Sequence, residues 1–400
     1  MKIAVMGYGT VGSGVVEVIK QNKENIAKRA GQEIEVKYVL DLRDFPGDPV
    51  QEIIIHDYKT IINDPEIGVV VEVMGGVNPA YTFVKEALLA GKSVCTSNKN
   101  LVAAHGAELL EIAREHMVNF LFEASVGGGI PIIRPLNQSL TADEIEEITG
   151  ILNGTTNYIL TQMRDNGTDF ETALKEAQAK GYAEKDPTAD IEGTDACRKI
   201  AILTSLAYGN QVQYEEIKTE GISKISVDDI SYAEALGMAI KLLATSRKVD
   251  GGVYAMVAPK MIRSNHPLFA VNDVFNGILV HGNMLGDVMF YGSGAGKLPT
   301  ASAVVSDVVD AVKHTGKNIM QLWSSKKLEL ASTDGLKNNF FVRVNNSERE
   351  LAEGLFDIVE TVTLGSKPDE FAFITAPVAE KEFFDKLAKL SPVSYIRAQY

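Results

Sequence analysis

An acid-rich run followed by a single lysine is the part of the sequence best equipped for proton chemistry. Residues 181–195 read GYAEKDPTADIEGTD and lead into a helical pattern that carries Lys199. Asp195 and Lys199 are four residues apart, so they share one face of a helix. Taken alone, such a pair is more often an exposed ion pair that contributes about 0.3–0.5 kcal/mol to stability.

The apolar residues of the same helix favour a different interpretation of this pair. Ala196, Ile200, Ala201 and Leu203 make the helix largely apolar, so we expect it to be buried. A half-buried lysine among carboxylates is a candidate acid or base, because desolvation and neighbouring charge set its pKa. The carboxylates of Glu184, Asp190 and Asp195 are also candidates for binding a substrate ammonium group.

A glycine-rich loop near the start of the chain predicts a dinucleotide site. GYGTVG at 7–12 follows an apolar strand at 2–6 and precedes a helical pattern at 13–30. Gly7 permits the tight turn, Gly9 lets the backbone approach a pyrophosphate, and Gly12 lets helix and strand pack closely. A ligand-free tight turn is the alternative, but the strand–loop–helix context favours a cofactor. The predicted cofactor-binding residues are Gly7, Gly9, Thr10, Val11 and Gly12.

The end of the second predicted strand bears on the choice of cofactor. Asp41 follows the strand at 35–40, where an acid binds the ribose hydroxyls of NAD. Its distance from Gly12 exceeds the usual ~20 residues because the first helix and its loop are long. Arg43 can instead hold the 2′-phosphate of NADP, and a solvated turn is the other interpretation of Asp41. We favour NAD, with NADP as the alternative.

The elements that position these residues predict an α/β protein with three domains. Up to residue 134 strands alternate with helices, which predicts a Rossmann-type domain with a mostly parallel sheet. An α+β region follows, with helices expected at 157–166, 169–180, 194–208, 231–245 and 300–312, and strands at 145–152, 253–262 and 287–291. Residues 338–400 show the order βαββαβ of a ferredoxin-like domain, after a linker at 324–337.

Composition excludes several classes of function. The chain has 400 residues, with 39 basic and 53 acidic side chains and a net charge of −14, so nucleic acid is not expected as a partner. Two cysteines, Cys95 and Cys197, exclude a disulfide scaffold and a cysteine-rich zinc site. No run approaches the ~20 apolar residues of a membrane helix. Without a signal-peptide pattern, we expect a cytoplasmic protein.

Six motifs together resemble the homoserine dehydrogenases over about residues 1–320. They are GYGTVGSGV at 7–15, TSNK at 96–99, EASVGGGIPII at 123–133, ILNGTTNYIL at 151–160, GYAEKDPTADIEGTDACRKI at 181–200 and GAGKLPTASAVVSD at 294–307. The resemblance implies NAD(P)-dependent interconversion of L-homoserine and L-aspartate 4-semialdehyde. It also implies a nucleotide-binding domain at 1–134 plus about 300–325, and a substrate-binding and dimerisation domain at 135–299. The tail at 338–400 resembles an ACT domain.

The resemblance also assigns roles to individual residues. It implies that Lys199 is the acid/base and that Lys99 lies near nicotinamide and substrate and shares proton transfer. A helix that begins at the NGTT turn favours the substrate carboxylate, and simple capping by Thr155 or Thr156 is the alternative. The implied substrate-binding residues are Glu184, Asp190, Asp195, Asn153, Gly154, Thr155, Thr156, Gly181 and Tyr182. Thr96, Lys99, Gly296 and Thr300 are the further implied cofactor-binding residues.

A cation site and an assembly are implied in the same way. A monovalent cation, sodium, is expected at Glu123, Val126, Gly128 and Ile130, and a plain glycine-rich turn is the alternative. We expect a homo-oligomer, either a dimer or a tetramer. The turn at 344–349 in the tail lacks the glycine of ACT effector sites, so threonine feedback is not expected.

Two other classes of function compete with this interpretation. An acylating semialdehyde dehydrogenase would use Cys95 as a nucleophile, but that residue lies in a predicted strand without a histidine partner. A nucleotide-sensing regulator would need no acid/base lysine, so Lys99 and Lys199 argue against it. His105 and His314 have no evident partner and are interpreted as structural.

Overall fold

The N-terminal part of the chain forms a six-stranded parallel sheet. The computed structural model describes residues 1–399, and Tyr400, the last residue of the predicted third domain, lies outside the described residues. The strands are β1 (Lys2–Met6), β2 (Glu35–Leu40), β3 (Ile54–Ile55), β4 (Ile67–Glu72), β5 (Ser93–Thr96) and β6 (Phe120–Leu121). Their order, β3-β2-β1-β4-β5-β6, is that of the Rossmann fold and confirms the predicted fold class.

Five helices connect these strands and cover the sheet. They are α1 (Thr10–Gln21), α2 (Lys23–Ala30), α3 (Lys59–Asn63), α4 (Ala80–Leu89) and α5 (Lys99–Glu115). The single helix predicted over 13–30 is wrong, because the chain leaves the helical conformation at Asn22 between α1 and α2. Covering both faces explains why Ile3, Ala4, Val5 and Met6 of β1 are all fully buried.

A larger mixed sheet begins in the second region. Its strands and those near it are β7 (Ile145–Ile151), β8 (Asn210–Gln211), β9 (Lys218–Thr219), β10 (Met238–Val249), β11 (Gly252–Arg263), β12 (Phe275–Gly282), β13 (Gly286–Ser293) and β14 (Ser324–Lys327). The helices are α6 (Gly154–Asn166), α7 (Phe170–Ala179), α8 (Thr188–Ile191), α9 (Thr194–Tyr208) and α10 (Val227–Ala235). Helices α6 and α9 both pack on β10.

One predicted helix of this region is wrong. The expected helix over 231–245 ends at Ala235 as α10, and β10 starts at Met238. Gly237 has a φ of +66°, which ends the helix, and β10 then pairs residue by residue with β11. Long-range pairing therefore overrides a local pattern that favours a helix. The predicted strands at 253–262 and 287–291 are confirmed within β11 and β13.

The helix α11 (Lys297–Lys313) returns to the first sheet, as predicted for 300–312. Its residues Ala301, Val304 and Val308 share a core with Val5 of β1 and Val15 of α1. A Cβ on Gly14 would lie 2.9 Å from the carbonyl oxygen of Lys297, so α1 and α11 are in close contact. The first sheet is therefore covered by helices that precede the second region, such as α1, and also by α11, which follows β13.

The tail extends the second sheet. It contains β15 (Lys337–Asn345), β16 (Ile358–Val362), β17 (Glu370–Thr375), β18 (Val378–Ala379), β19 (Ser394–Gln399), α12 (Arg349–Leu355) and α13 (Glu380–Leu387). The sheet order β13-β12-β7-β10-β11-β19-β15-β17-β16 places β19 beside β11. The pairing is parallel, from Lys260–Arg397 to Ile262–Gln399. The predicted linker at 324–337 includes β14, which pairs with β8.

The longest helices of the described chain, α5 and α11, have 17 residues each. Across residues 1–399, none combines the length and the apolar composition that a membrane span requires.

Candidate active site

Asp195 joins two lysines that are a hundred residues apart in the sequence. The first turn of α9 holds Asp195, which is 3% exposed, and Lys199 follows one turn later. Lys199 Nζ lies 2.8 Å from Asp195 Oδ2 and donates a hydrogen bond to the carbonyl oxygen of Leu152 at 2.7 Å. Lys99, the first residue of α5, forms an ion pair with Asp195 Oδ1. The structure therefore brings together both predicted catalytic lysines around one carboxylate.

The shared carboxylate affects the two lysines differently. Burial lowers the pKa of Lys199 below its ordinary value, although Asp195 opposes the shift. Burial is also the largest single influence on Lys99, but the charge and hydrogen bond of Asp195 together with the charge of Asp190 outweigh it, and the pKa of Lys99 is raised. The two ammonium groups outweigh the burial of Asp195 and hold the pKa of that carboxyl below its usual range. Lys199 is thus the lysine that more readily becomes neutral.

Asn153 fixes the relative positions of two acids and a helix. Its Nδ2 donates to Asp190 Oδ1 at 2.7 Å and to Asp195 Oδ2 at 2.9 Å. Its Oδ1 accepts the backbone N–H of Thr156 at 2.9 Å and so caps α6. The expected alternative of capping by Thr155 or Thr156 is wrong, because Asn153 is the capping residue. Burial raises the pKa of Asp190 above its ordinary value, although Asn153 donates to it.

The turn after α7 carries the other predicted substrate residues. Gly181 has a φ of +75°, and the carbonyl oxygen of Tyr182 accepts a hydrogen bond from Thr155 Oγ1 at 2.6 Å. This bond ties the turn to the first residues of α6. Glu184 is exposed, and no hydrogen bond or ion pair of its carboxylate is found within residues 1–399. The structure therefore does not place Glu184 in contact with the Asp195 cluster, the group formed by Asp195, Lys99, Lys199, Asn153 and Asp190.

The glycine loop forms one wall of a cavity of about 520 Å³. A Cβ on Gly12 would lie 1.9 Å from the carbonyl oxygen of Gly7, so only glycine allows this contact between loop and helix. Gly9 is the residue before α1, which begins at Thr10, and a Cβ at position 9 would contact nothing within 4 Å. The open space at a helix start fits a pyrophosphate. The cavity is also lined by Leu42, His56, Tyr58, Val73 and Phe83.

Asp41 and Arg43 lie at the far side of this cavity and pair with each other. Asp41 Oδ1 accepts from the backbone N–H of Arg43 at 3.0 Å and from Arg43 Nε at 2.9 Å. Its Oδ2 accepts from the backbone N–H of Tyr8 at 2.8 Å and from Arg43 Nη2 at 3.0 Å. The Arg43 guanidinium holds the pKa of Asp41 well below its usual range. The Arg43 side chain is 63% exposed, and its guanidinium lies 5.1 Å from the centre of the Phe45 ring.

Sequence reasoning missed Glu72, which supports the loop of Lys99. Glu72 ends β4 and is fully buried. Its carboxylate accepts from Thr96 Oγ1 at 2.7 Å and from the backbone N–H of Met74 at 2.8 Å. Thr96 Oγ1 in turn accepts the N–H of Asn98, whose side chain caps α5 just before Lys99. The one available signal was an acid at the end of an otherwise apolar strand.

The loop before α11 lies close to the glycine-rich segment at 126–130, called the hinge below. Gly296 precedes the helix with a φ of +119°, and the backbone N–H of Thr300 donates to its carbonyl oxygen at 3.1 Å. A Cβ on Gly128 would lie 2.2 Å from the carbonyl oxygen of Gly294. The predicted cofactor residues Gly296 and Thr300 therefore follow directly on a loop that packs against the hinge at 126–130.

The predicted cation residues form a buried hinge. Glu123 Oε1 accepts the N–H groups of Ile132 and Ile133 at 2.6 and 2.8 Å, and Oε2 accepts that of Arg134 at 2.8 Å. Among residues 1–399, no hydrogen bond is directed at the carbonyl oxygens of Val126, Gly128 or Ile130. Three unpaired carbonyl oxygens in a buried turn are suitable ligands for a hard cation.

The side chains of the competing hypotheses lie in structural positions. Cys95 is fully buried, and burial raises the pKa of its thiol well above the ordinary value, so it is not a nucleophilic thiolate. His105 stacks on Tyr81 with ring centroids 4.1 Å apart. His314 Nδ1 lies 2.8 Å from the carbonyl oxygen of Asp310. None of these three has a contact with the Asp195 cluster within the described chain.

Comparison with known proteins identifies one family over most of the chain. The family model described as homoserine dehydrogenase matches residues 131–309, and the one described as homoserine dehydrogenase, NAD binding domain, matches residues 7–123. The homoserine dehydrogenase of Synechocystis sp. is 48% identical over 322 residues, covering 78% of this chain and 73% of the relative. That of Helicobacter pylori is 38% identical and covers 98% of this chain and 95% of the relative.

Solved structures agree with these matches. The crystal structure of a homoserine dehydrogenase from Thiobacillus denitrificans is 36% identical, has a TM-score of 0.91 and covers 100% of this chain and 98% of its own. A hyperthermophilic archaeal homoserine dehydrogenase in complex with NADPH is 29% identical, with a TM-score of 0.67, and covers 78% of this chain and 97% of its own.

Proposed function

The chain belongs to the homoserine dehydrogenase family, and from this premise we propose how the residues around Asp195 carry out its reaction. The enzyme is an NAD(P)-dependent oxidoreductase that reversibly reduces L-aspartate 4-semialdehyde to L-homoserine in the biosynthesis of threonine, methionine and isoleucine. When bound, the nicotinamide accepts or delivers the hydride at C4 of the substrate. The residues of this chain must supply the proton and hold the substrate.

The buried state of Lys199 carries the proposal. Two opposite influences act on its Nζ, which contacts the Asp195 carboxylate and the Leu152 carbonyl: the negative charge of Asp195 favours the ammonium form, while burial favours the neutral amine. In homoserine oxidation the neutral amine accepts the proton of the C4 hydroxyl, and in the reduction of the aldehyde the ammonium donates it. Because Asp195 and the Leu152 carbonyl fix Nζ, the remaining position on nitrogen faces a substrate in a defined direction.

Lys99 has a complementary role in this proposal. Its raised pKa keeps it charged at neutral pH, so it stabilises negative charge that develops on the C4 oxygen. Asp195 positions both lysines, and Asn153 positions Asp195. Lys99 also shares in proton transfer, because it contacts the same carboxylate as Lys199.

The substrate's charged groups have matching partners. The start of α6 at Gly154 and Thr155 favours the carboxylate, because the first N–H groups of a helix lack partners within the helix. Asp190 and Glu184 are the proposed partners of the ammonium group. Glu184 reaches the site only if the exposed turn at 181–187 moves towards α9.

The cofactor preference is a further part of the proposal. Asp41 favours NAD by its position at the end of β2, but both of its oxygens are occupied by Tyr8 and Arg43. Binding of ribose hydroxyls requires Arg43 to move, and the same exposed side chain can contact a 2′-phosphate. We therefore expect use of both cofactors, with NAD favoured.

We propose that sodium binds the carbonyl oxygens of Val126, Gly128 and Ile130 with the remaining lone pair of Glu123 Oε2. The ion would brace the hinge next to the loop at 294–296. Melting temperatures measured in sodium and in the large cation tetramethylammonium test the site. We expect sodium to give the higher melting temperature in the wild type and no difference in Glu123→Ala.

Assembly, location and the tail complete the proposal. Met284, Leu285 and Tyr291 are exposed large apolar side chains on the β12–β13 hairpin, which supports a homo-oligomeric contact there. We propose that the nucleotide-binding domain comprises residues 1–134 and about 300–325, that residues 135–299 form the substrate-binding domain, and that residues 338–400 form an ACT-like domain. The tail supports assembly and not threonine feedback. Amino-acid biosynthesis supports a cytoplasmic location.

Turnover of L-homoserine followed by nicotinamide absorbance tests the roles of the lysines. In Lys199→Met we expect kcat to fall by about 10³-fold or more, with cofactor binding unchanged. In Lys99→Met we expect a smaller loss of kcat, and the rate of homoserine oxidation should still rise with increasing pH. Exposed Lys381→Met is the matched control. Equal residual activity of Lys199→Met and the control would refute the proposed acid/base role.

A further inference from the structure

The side-chain amide of Asn276, near the start of β12, is buried and has no hydrogen-bond partner within the described chain. Its side chain belongs to a residue that is 1% exposed, and neither Nδ2 nor Oδ1 has a hydrogen-bond partner within residues 1–399. Buried side-chain amides are nearly always hydrogen-bonded, because an unpaired polar group is costly to bury. An exception that lies beside a catalytic site therefore calls for a functional explanation.

The strand register places Asn276 next to Leu152, the residue that accepts a hydrogen bond from Lys199. Gly277 of β12 pairs with Ile151 of β7, so Asn276 lies beside the next residue, Leu152. The carbonyl oxygen of Leu152 is the group that accepts a hydrogen bond from Lys199. On its other side Asn276 pairs with Gly292 of β13. Asn276 thus lies at the same end of the sheet as Leu152, the residue whose carbonyl oxygen holds Lys199.

Two glycines define the space around the amide. A Cβ on Gly294 would lie 2.1 Å from Asn276 Nδ2, and a Cβ on Gly154 would lie 3.6 Å from Asn276 Oδ1. Gly154 is the first residue of α6, and Gly294 begins the loop that leads to α11. The amide therefore lies between the start of α6 and the loop at 294–296.

The start of α6 is the natural place for an anion. Its thirteen residues make a helix with a positive N-terminal end, and Asn153 takes the N–H of Thr156. The N–H groups of Gly154 and Thr155 are those that a helix cannot pair internally. The unpaired amide of Asn276 adds a side-chain donor at this end.

We propose that Asn276 is a further substrate-binding residue, whose amide donates a hydrogen bond to the α-carboxylate of L-homoserine beside the first N–H groups of α6. Rotation of the amide about its last bond exchanges the two ends, so the donor can face Gly154. The inference rests on the proposed placement of the substrate carboxylate at this helix start. It also explains why position 294 has no side chain, since the amide occupies that space.

Asn276→Leu separates a binding role from a structural one. We expect the KM for L-homoserine to rise by about tenfold to hundredfold, which is the effect of losing one hydrogen bond to a charged group. The KM for the cofactor should stay within about twofold. The melting temperature without substrate should stay equal or rise, because an apolar group of similar size replaces an unpaired amide. A structural residue would give the opposite result, with a lower melting temperature and an unchanged KM.

Asn276→Asp and a modified substrate test the chemistry of the contact. Asp introduces a like charge opposite the carboxylate, so the KM for L-homoserine should rise further than in Asn276→Leu. The neutral amide of L-homoserine lacks that charge, so its inhibition constant against L-homoserine should change less in both variants. Asn283→Leu and Asn283→Asp, at the exposed far end of the same hairpin, are the matched controls.

The outcomes distinguish this inference from the function on which it rests. A wild-type enzyme that turns over L-homoserine, together with an Asn276→Leu variant of unchanged KM, would overturn the role of Asn276 alone. Equal weakening of L-homoserine and its neutral amide would also overturn it. Absence of turnover in the wild type would instead contradict the reaction itself.

Discussion

Two of the buried charge clusters in the described chain differ in their cation: one lies at the active site and the other where the tail meets α10. At the tail, Arg343 is 2% exposed and donates to Asp229 Oδ1 at 2.7 Å and to Glu370 Oε2 at 2.8 Å. Burial opposes its charge, but these acids keep the pKa of Arg343 above its ordinary value. At the active site burial prevails on Lys199 and its pKa is lowered.

The difference shows how the choice of cation separates structure from catalysis. An arginine stays charged and its planar guanidinium matches two carboxylates, so the tail cluster has one protonation state. Lysine can lose its proton when it is desolvated. At the active site two lysines share the single carboxylate of Asp195, and the cluster therefore has a protonation state that can change during turnover.

Asp195→Asn should give the largest effect on the active-site side of this comparison. Without the shared carboxylate the two lysines lose their positioning, and we expect kcat to fall by about 10²–10⁴-fold. Loss of the anion also lowers the pKa of both lysines, so the rising limb of homoserine oxidation against pH should move to lower pH. The pH dependence of kcat/KM measures this shift. A limb that stays in place would show that neither lysine controls it.

Arg343→Met should give the largest effect on the tail side. It leaves the buried Asp229 and the half-buried Glu370 without their cation, which costs about 3–5 kcal/mol of unfolding free energy. Denaturant unfolding measures the loss, and kcat below the melting temperature should stay within about twofold. Arg349→Met, which breaks an exposed pair with Glu353, is the control with an expected change below about 0.5 kcal/mol. A loss of kcat without a loss of stability would mean that the tail cluster takes part in catalysis.

Arg43→Ala should give the smallest change, because the Asp41–Arg43 pair is exposed on the arginine side. We expect kcat/KM with NADP to fall by about tenfold and kcat/KM with NAD to change by less than threefold. Asp41→Ala should lower kcat/KM with NAD instead. Parallel assays with both cofactors measure the ratio. An equal effect of Arg43→Ala on both cofactors would contradict a specific contact with the 2′-phosphate.

Local patterns predicted the parts of this site that depend on near neighbours in the sequence. The spacing of Asp195 and Lys199 and the glycine loop at 7–12 each lie within one turn or loop, so their geometry follows from the helix and the strand–helix junction. The resemblance added Lys99, whose contact with Asp195 joins α5 to α9, two helices that are far apart in the sequence. The pairing of β10 with β11 depends on distant chain, and the helix predicted at 231–245 was therefore wrong.

Burial and pairing of polar groups were the features that the sequence could not supply. Glu72 ends the apolar strand β4, and Asn276 lies near the start of β12. The residues next to them in the sequence do not show whether a hydrogen-bond partner lies on a neighbouring element. The parallel contact of β19 with β11 likewise needs an edge that only the folded second region offers. Such features depend on the packing of whole sheets, which a single sequence does not encode locally.

The order in which the two lysines lose their protons tests the central claim most directly. Titration of ¹³Cε-labelled lysines by NMR, with Lys199→Met and Lys99→Met used for assignment, measures both groups in the same protein. We predict that Lys199 titrates below 10.5, the ordinary value of a lysine, and that Lys99 titrates above it. Titration of Lys199 above that value, or after Lys99, would contradict its role as the acid/base of the reaction.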